Sequence, residues 1–292
     1  MEFRQERVTV NDVELVYLGA GPEDGPLALC LHGFPDSAWT WRHLAPDLVA
    51  AGFRVVAPFL RGYAPSAVPA EGRFQAGVLA LDALELHSAL GGDGSAVLIG
   101  HDWGALAAYG AASVGPDRWR RVVATAVPPA LGMEALFSYD QVKRSFYIFV
   151  FQWPLAEMIV GGEDLLFIDR LWADWSPGYD ATEDLRHVKD CLRDPAHLTA
   201  ALGYYRATLG SLPQDPALAD LQTATGTPPP QPTLYLHGAD DGCMAVSLTE
   251  GTAEALSPGS RLDIVPGAGH FLHLERPDVV NKAIVDFLTA PG

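Results

Sequence analysis

Five residues, Gly100-His101-Asp102-Trp103-Gly104, combine a carboxylate with the small flanking residues that a sharp turn requires. An apolar run with strand character, Ala96 to Ile99, leads into them, and the helix-forming Ala105, Leu106, Ala107 and Ala108 follow. The spacing is that of the Gly-x-Ser-x-Gly elbow between a strand and a helix, with Asp102 in place of the serine. No Gly-x-Ser-x-Gly occurs elsewhere to compete for the role. A serine there needs a neighbouring base, whereas an aspartate of ordinary pKa, about 4, is already ionised at neutral pH. Asp102 is therefore a candidate nucleophile able to attack an sp3 carbon unaided. The product would be an ester on the protein itself, and its hydrolysis by water is the step that needs a base. An isolated Asp-x-Gly is an ordinary turn former or helix N-cap. The strand before it and the helix after it carry the chemical reading.

Two further groups of residues fit this chemistry. His32-Gly33-Phe34-Pro35 follows an apolar run and reads as a loop whose Phe34 N–H could join the Trp103 N–H as an oxyanion hole. Late in the chain, a strand ending near His237 runs into Gly238-Ala239-Asp240-Asp241-Gly242, and a strand ending at Val265 runs into Pro266-Gly267-Ala268-Gly269-His270. Each places its polar residues just past a strand end. The chain order nucleophile, acid, base is the one that accompanies an elbow of this kind. His270 is the candidate base, and Asp241 the preferred residue to orient it, with Asp240 and then Glu134 as alternatives. His273, about one turn on, reads as packed or solvated rather than as a second base or metal ligand.

These residues must be positioned by a sheet. Arg7 to Val10 and Glu14 to Leu18 read as an antiparallel pair joined at Asn11-Asp12, and Pro26 to His32, Phe53 to Ala57, Ala96 to Ile99, Arg121 to Val127, Thr233 to His237 and Arg261 to Val265 read as later strands. Helices are expected over Trp39 to Ala51, Gln75 to Leu90, Val246 to Leu256 and Pro277 to Leu288, with one following the elbow. Strands alternating with helices imply an α/β fold with a mostly parallel sheet, whose ligands bind at the carboxyl ends of the strands. From Ala130 to about Leu212 the chain is aromatic-rich and helical, which reads as an inserted cap. The expected organisation is thus core over 1–129, cap over 130–212 and core again over 213–292.

The 292 residues suit one large domain or a core with an insertion. A net charge of −17 without a long acidic run argues against a nucleic-acid surface. No run approaches a membrane span, and the start MEFRQERVTV carries no apolar stretch fit for a signal peptide, so a cytoplasmic protein is expected. Cys30, Cys191 and Cys243 are odd in number and lack zinc spacing, so neither a disulfide framework nor a metal site is expected.

The motifs HGFPDSAWTWR (His32 to Arg42), RGYAPS (Arg61 to Ser66), GHDWG (Gly100 to Gly104) and GAGHFLHLERPDVV (Gly267 to Val280) resemble those of the α/β-hydrolase-fold epoxide hydrolases, with haloalkane dehalogenases as close relatives. The resemblance spans nearly the whole chain. It implies an eight-stranded, mostly parallel sheet flanked by helices, with a helical cap. It also implies two cap tyrosines that protonate the leaving alkoxide, and here FYIFVFQWP places Tyr147, and LGYYRA places Tyr205, at positions similar to the family's, with Tyr204 the less favoured neighbour. Many haloalkane dehalogenases have an asparagine where this chain has Phe34, and fluoroacetate-type dehalogenases have an arginine where it has Trp103.

The expected function is hydrolysis of an apolar epoxide to a vicinal diol through an aspartyl ester, with haloalkane dehalogenation as the alternative reading and a non-catalytic binding protein as a weaker one. Phe34, Trp103, Phe151 and Trp153 are expected to contact substrate. No cofactor or metal is needed for this chemistry. The only partner expected is a small apolar substrate, with no nucleic acid or membrane, and the chain is expected to be a monomer or homodimer.

Overall fold

A computed structural model describes residues 2–131, 133–208, 210 and 212–291. Eight strands form one sheet: β1 (Arg4–Val10), β2 (Val13–Ala20), β3 (Leu27–Leu31), β4 (Arg54–Pro58), β5 (Val97–His101), β6 (Arg121–Thr125), β7 (Thr233–Gly238) and β8 (Arg261–Val265). Their order across the sheet is β1-β2-β4-β3-β5-β6-β7-β8. The pairs β1–β2 and β2–β4 are antiparallel and every later pair is parallel. Asn11 and Asp12, both at positive φ, make the tight first hairpin, as two residues tolerant of left-handed backbone should. Strands β3, β5 and β6 are buried along their whole length, which explains their unbroken apolar runs: helices cover both faces.

Between β6 and β7 the described chain forms helices and no strand. The last of them, Ala219–Ala224, packs on helices Ala76–Ala89 and Trp103–Val114 beside the sheet. The earlier ones build a layer over the strand ends. Among the described residues no helix is long and apolar enough to cross a membrane.

Two expected helices are divided. Instead of one helix over Trp39 to Ala51 there is a 3-10 turn, Ala38–Arg42, capped by Ser37, and a short helix, Ala45–Ala50. Pro46 has no N–H to continue an earlier helix but suits the first turn of a new one. Instead of one helix over Val246 to Leu256 there is a 3-10 turn, Val246–Thr249, and a single turn of helix, Thr252–Ala255. Gly251, at φ +76°, interrupts them. Strand β6 stops at Thr125, because Ala126 turns to φ +71°.

Candidate active site

The elbow is set by backbone approach. Asp102 sits at φ 53°, ψ −117°, a strained conformation at the junction of β5 and helix Trp103–Val114. A Cβ on Gly104 would run into the Leu31 carbonyl, and one on Gly100 into the Gly104 carbonyl, so helix and strand meet this closely only because both positions are glycine. Pairing of Leu31 with Gly100 brings the residues after β3 beside the elbow. There a Cβ on Gly33 would collide with the Asp102 side chain.

The loop after β3 is held by its own histidine. His32 donates from Nδ1 to the Gly33 carbonyl at 2.8 Å and accepts the Leu60 N–H at Nε2 at 3.0 Å. Burial, its largest influence, lowers its pKa to about 4, so it remains neutral and serves as a brace. The loop turns the Phe34 N–H onto Asp102 Oδ1 at 2.8 Å. Oδ2 is left facing His270, whose Nε2 lies 3.7 Å away.

His270 meets Asp241 Oδ2 through Nδ1 at 2.9 Å. The other oxygen of Asp241 accepts the N–H groups of Cys243 and Met244, at 2.7 and 2.8 Å, which fixes the carboxylate. Asp240 is exposed, and so is Glu134; neither forms a hydrogen bond with His270. Burial disfavours the imidazolium, yet the Asp241 and Asp102 carboxylates override it and raise the His270 pKa to about 10. Burial likewise works against the Asp102 carboxylate, but the facing His270 imidazolium, aided by His101 and the Phe34 N–H, holds its pKa below the usual aspartate value.

Over Asp102 lies a cavity of about 310 Å³, lined mainly by apolar side chains including Leu106, Val127, Phe149 and Met244, together with Trp103, Tyr147 and Tyr205. Phe137 and Phe149 line it and are also half exposed, which marks its mouth. A wider depression of about 1040 Å³ lies behind Asp241, but it is lined by Asp140, Lys143, Arg144 and Asp174 and holds neither Asp102 nor the tyrosines. Of the two, the smaller cavity is the one lined by Asp102, Tyr147 and Tyr205.

Helix Phe146–Phe151 turns Tyr147 and Phe151, one turn apart, inward and leaves Phe146 and Phe149 exposed. The Tyr147 hydroxyl lies 3.4 Å from the Cys243 thiol. In helix Pro195–Thr208, Tyr205 packs edge-on against Trp103, Phe34 and Tyr147. Its buried hydroxyl is near enough to Tyr147 and the Trp103 indole to be influenced by them, without a hydrogen bond of good geometry to either. Burial keeps both phenols protonated, well above their ordinary pKa. Tyr204 turns away and donates to the Arg61 carbonyl at 2.7 Å.

Two expected substrate contacts are displaced. Trp153 is 57% exposed, past the end of its helix, and does not line the cavity. Phe151 is fully buried behind the cavity wall, packed on Phe34, Tyr147 and Tyr205. Phe34 also lies behind this wall, so its N–H rather than its ring faces Asp102. Only Trp103 of the four lines the cavity.

Sequence reasoning missed the clamp from the helical layer. The Trp175 carbonyl accepts the N–H of both Gly242 and His270, each at 3.0 Å, tying the loops that carry Asp241 and His270 to one atom. Ser176 adds a bond from the Phe271 N–H, and the Trp172 ring stacks on Phe271 at 3.5 Å. Close backbone approach at Gly242 and Gly269 was the available signal, since a Cβ on either would meet Asp174 or Trp175.

Comparison with known proteins agrees with this architecture. Residues 26–277 match the family model described as alpha/beta hydrolase fold. The chain is 32% identical over 288 residues to the AB hydrolase superfamily protein YfhM of Bacillus subtilis, covering 96% of each. It is 30% identical over 320 residues to epoxide hydrolase A of Mycobacterium tuberculosis, covering 97% of this chain and 96% of that one. The crystal structure of epoxide hydrolase A from Mycobacterium thermoresistibile superposes with a TM-score of 0.81 at 29% identity, covering 98% of both chains. The chain therefore belongs to the α/β-hydrolase fold family, and the relatives it resembles over nearly their full length include epoxide hydrolases.

Proposed function

We propose that this protein is an epoxide hydrolase that opens an apolar epoxide through a covalent ester on Asp102 and releases a vicinal diol. The observation that carries the reading is that Asp102 and two protonated phenols, Tyr147 and Tyr205, line one apolar cavity. Epoxide opening generates an alkoxide, a strong base, so a proton donor across from the nucleophile accelerates it; a departing halide has no such need. We read residues 130–212 as the cap that brings the phenols over the core, with core at 1–129 and 213–292.

In the first step Asp102 Oδ2, the oxygen not held by Phe34, forms a bond to one epoxide carbon while the carbon–oxygen bond of the ring breaks. The alkoxide takes a phenolic proton from Tyr147 or Tyr205. The resulting tyrosinate is reprotonated at the expense of the His270 imidazolium. That transfer becomes favourable at this point because esterification removes the Asp102 charge, one of the two carboxylates that raise the His270 pKa. Neutral His270, oriented by Asp241, then takes a proton from water, and the hydroxide adds to the ester carbonyl. The N–H groups of Phe34 and Trp103 hold the oxyanion until the carbon–oxygen bond to the diol breaks and His270 returns the proton. The balance is one epoxide and one water in, one diol out, with no cofactor consumed.

A haloalkane dehalogenase reading draws on one observation: the buried Trp103 indole N–H has no hydrogen-bond partner and lines the cavity, where it could receive a halide. Incubation of the purified protein with styrene oxide and, separately, with 1-bromobutane decides between them. Diol from the first without bromide from the second supports the proposal, and bromide release without diol overturns it.

A further inference from the structure

Behind the reactive groups, three buried side chains converge. Asp36, His101 and His273 each offer one ligand atom within 4.8 Å of the others, with Asp36 Oδ2 and His101 Nδ1 3.7 Å apart. Asp36 Oδ2, His101 Nδ1 and His273 Nδ1 have no hydrogen-bond partner, and the residues are 2%, 0% and 1% exposed. Buried polar atoms left unpaired are costly, and three facing each other require something between them.

The surrounding hydrogen bonds fix what each atom offers. His101 Nε2 lies 3.0 Å from the His270 carbonyl, which only accepts, so Nε2 carries the proton and Nδ1 presents a lone pair. His273 Nε2 lies 2.6 Å from Thr40 Oγ1. The Thr40 oxygen can accept the Nε2–H, which leaves a lone pair at His273 Nδ1. Asp36 Oδ1 takes the Ser37 N–H at 2.7 Å, leaving Oδ2 free. Each of the three atoms can thus present a lone pair inward. A cation satisfies all three.

We infer that Asp36, His101 and His273 form a binding site for one divalent transition-metal ion of the zinc class. Two neutral imidazoles and a carboxylate are a zinc donor set, and imidazole ligands that give their other N–H to a carbonyl or hydroxyl oxygen are the oriented kind that metal sites use. Atoms within 4.8 Å of one another need move inward by no more than about 0.7 Å each to reach zinc bonds of about 2.0–2.2 Å. The ion has a structural role. Asp36 is two residues after Phe34, His101 directly precedes Asp102 and His273 is three residues after His270, so one ion links the three loops that carry the reactive groups. The sequence hid this site because its ligands come from three distant segments without zinc spacing.

The test uses the full chain produced in zinc-supplemented or cobalt-supplemented medium and dialysed exhaustively, alongside His273→Gln and Asp36→Asn. Elemental analysis is expected to find about one zinc per chain in the wild type and to lose it in both variants. The cobalt-loaded wild type is expected to show the visible ligand-field bands of low-coordinate Co²⁺, and X-ray absorption to report two imidazoles on the metal. The last measurement needs no variant and so stands even if a substitution impairs folding. A wild type that retains no metal, retention unaltered in folded variants, or an absorption spectrum of hexaaqua type would overturn the proposal.

Discussion

Nε2 of His270 stands 3.7 Å from Oδ2 of Asp102, so the candidate base and nucleophile share charge before any reaction begins. Each changes the protonation of the other: the carboxylate supports the imidazolium, and the imidazolium keeps the carboxylate ionised against burial. A reaction that consumes the Asp102 charge therefore also alters the base.

The acid limb of the alkylation step follows from this pairing. Asp102 must be ionised to attack, and its pKa is depressed, so the rate of ester formation in the wild type should persist down through the ordinary aspartate range before falling. In His270→Gln the facing imidazolium charge is gone while burial remains, so the loss should begin at higher pH. Single-turnover alkylation followed against pH in both proteins checks this, and identical acid limbs would count against the coupling.

Stability should respond at the other end of the scale. His270 titrates near 6.5 when unconstrained and at about 10 in the folded protein, so the folded state binds this proton more tightly. Its contribution to stability is complete below about pH 6.5 and is lost as pH rises towards 10. Denaturant unfolding across that window should show a decline that is smaller in His270→Gln.

Tyr147→Phe and Tyr205→Phe remove the proposed proton donors without changing the ring packing. Each should slow epoxide opening by about a hundred- to ten-thousandfold if it donates in the transition state. The double variant should be the slower if one tyrosine substitutes for the other. Trp153→Ala, altering an exposed residue outside the cavity, should leave turnover within about twofold, as surface changes of small energetic effect do. Pre-steady-state formation of the ester separates these effects from the hydrolysis step.

Asp241→Asn should separate the half-reactions. Without the second carboxylate, the His270 ring loses its orienting acceptor and the larger of the charges that raise its pKa. Ester formation should proceed while hydrolysis slows, so the substituted protein should show a burst of one equivalent followed by slow turnover. Equal slowing of both phases would remove Asp241 from the role assigned to it.

How far the sequence discloses such a site depends on whether its geometry is local. The elbow at Asp102 is local: two glycines, a strand and a helix within one short stretch dictate the turn, and the backbone collisions at Gly100 and Gly104 show why no other residue fits. The parallel core is equally local, since β3, β5 and β6 are buried on both faces and read as continuous apolar runs. Choices between adjacent residues are different. Asp240 and Asp241 are equivalent as letters, and only the fold turns one outward and the other onto His270; Tyr204 and Tyr205 are separated in the same way by one step around a helix. Trp153 was misplaced because aromatic content alone does not reveal which face of helix Phe146–Phe151 points inward or where that helix ends. The helix expected over Trp39 to Ala51 failed at Pro46, a signal present in the sequence but outweighed by apolar content. The Trp175 clamp and the Asp36–His101–His273 cluster depend on contacts between remote segments, which no spacing rule carries.

The most direct test of the covalent mechanism is intact-protein mass spectrometry of His270→Gln after incubation with styrene oxide. Asp102 remains able to attack in this variant, but the water has no base, so the ester should accumulate as a mass increment of one epoxide per chain. The increment should disappear when Asp102→Ala is added. No adduct with the single variant, or an adduct that persists without Asp102, would contradict the mechanism.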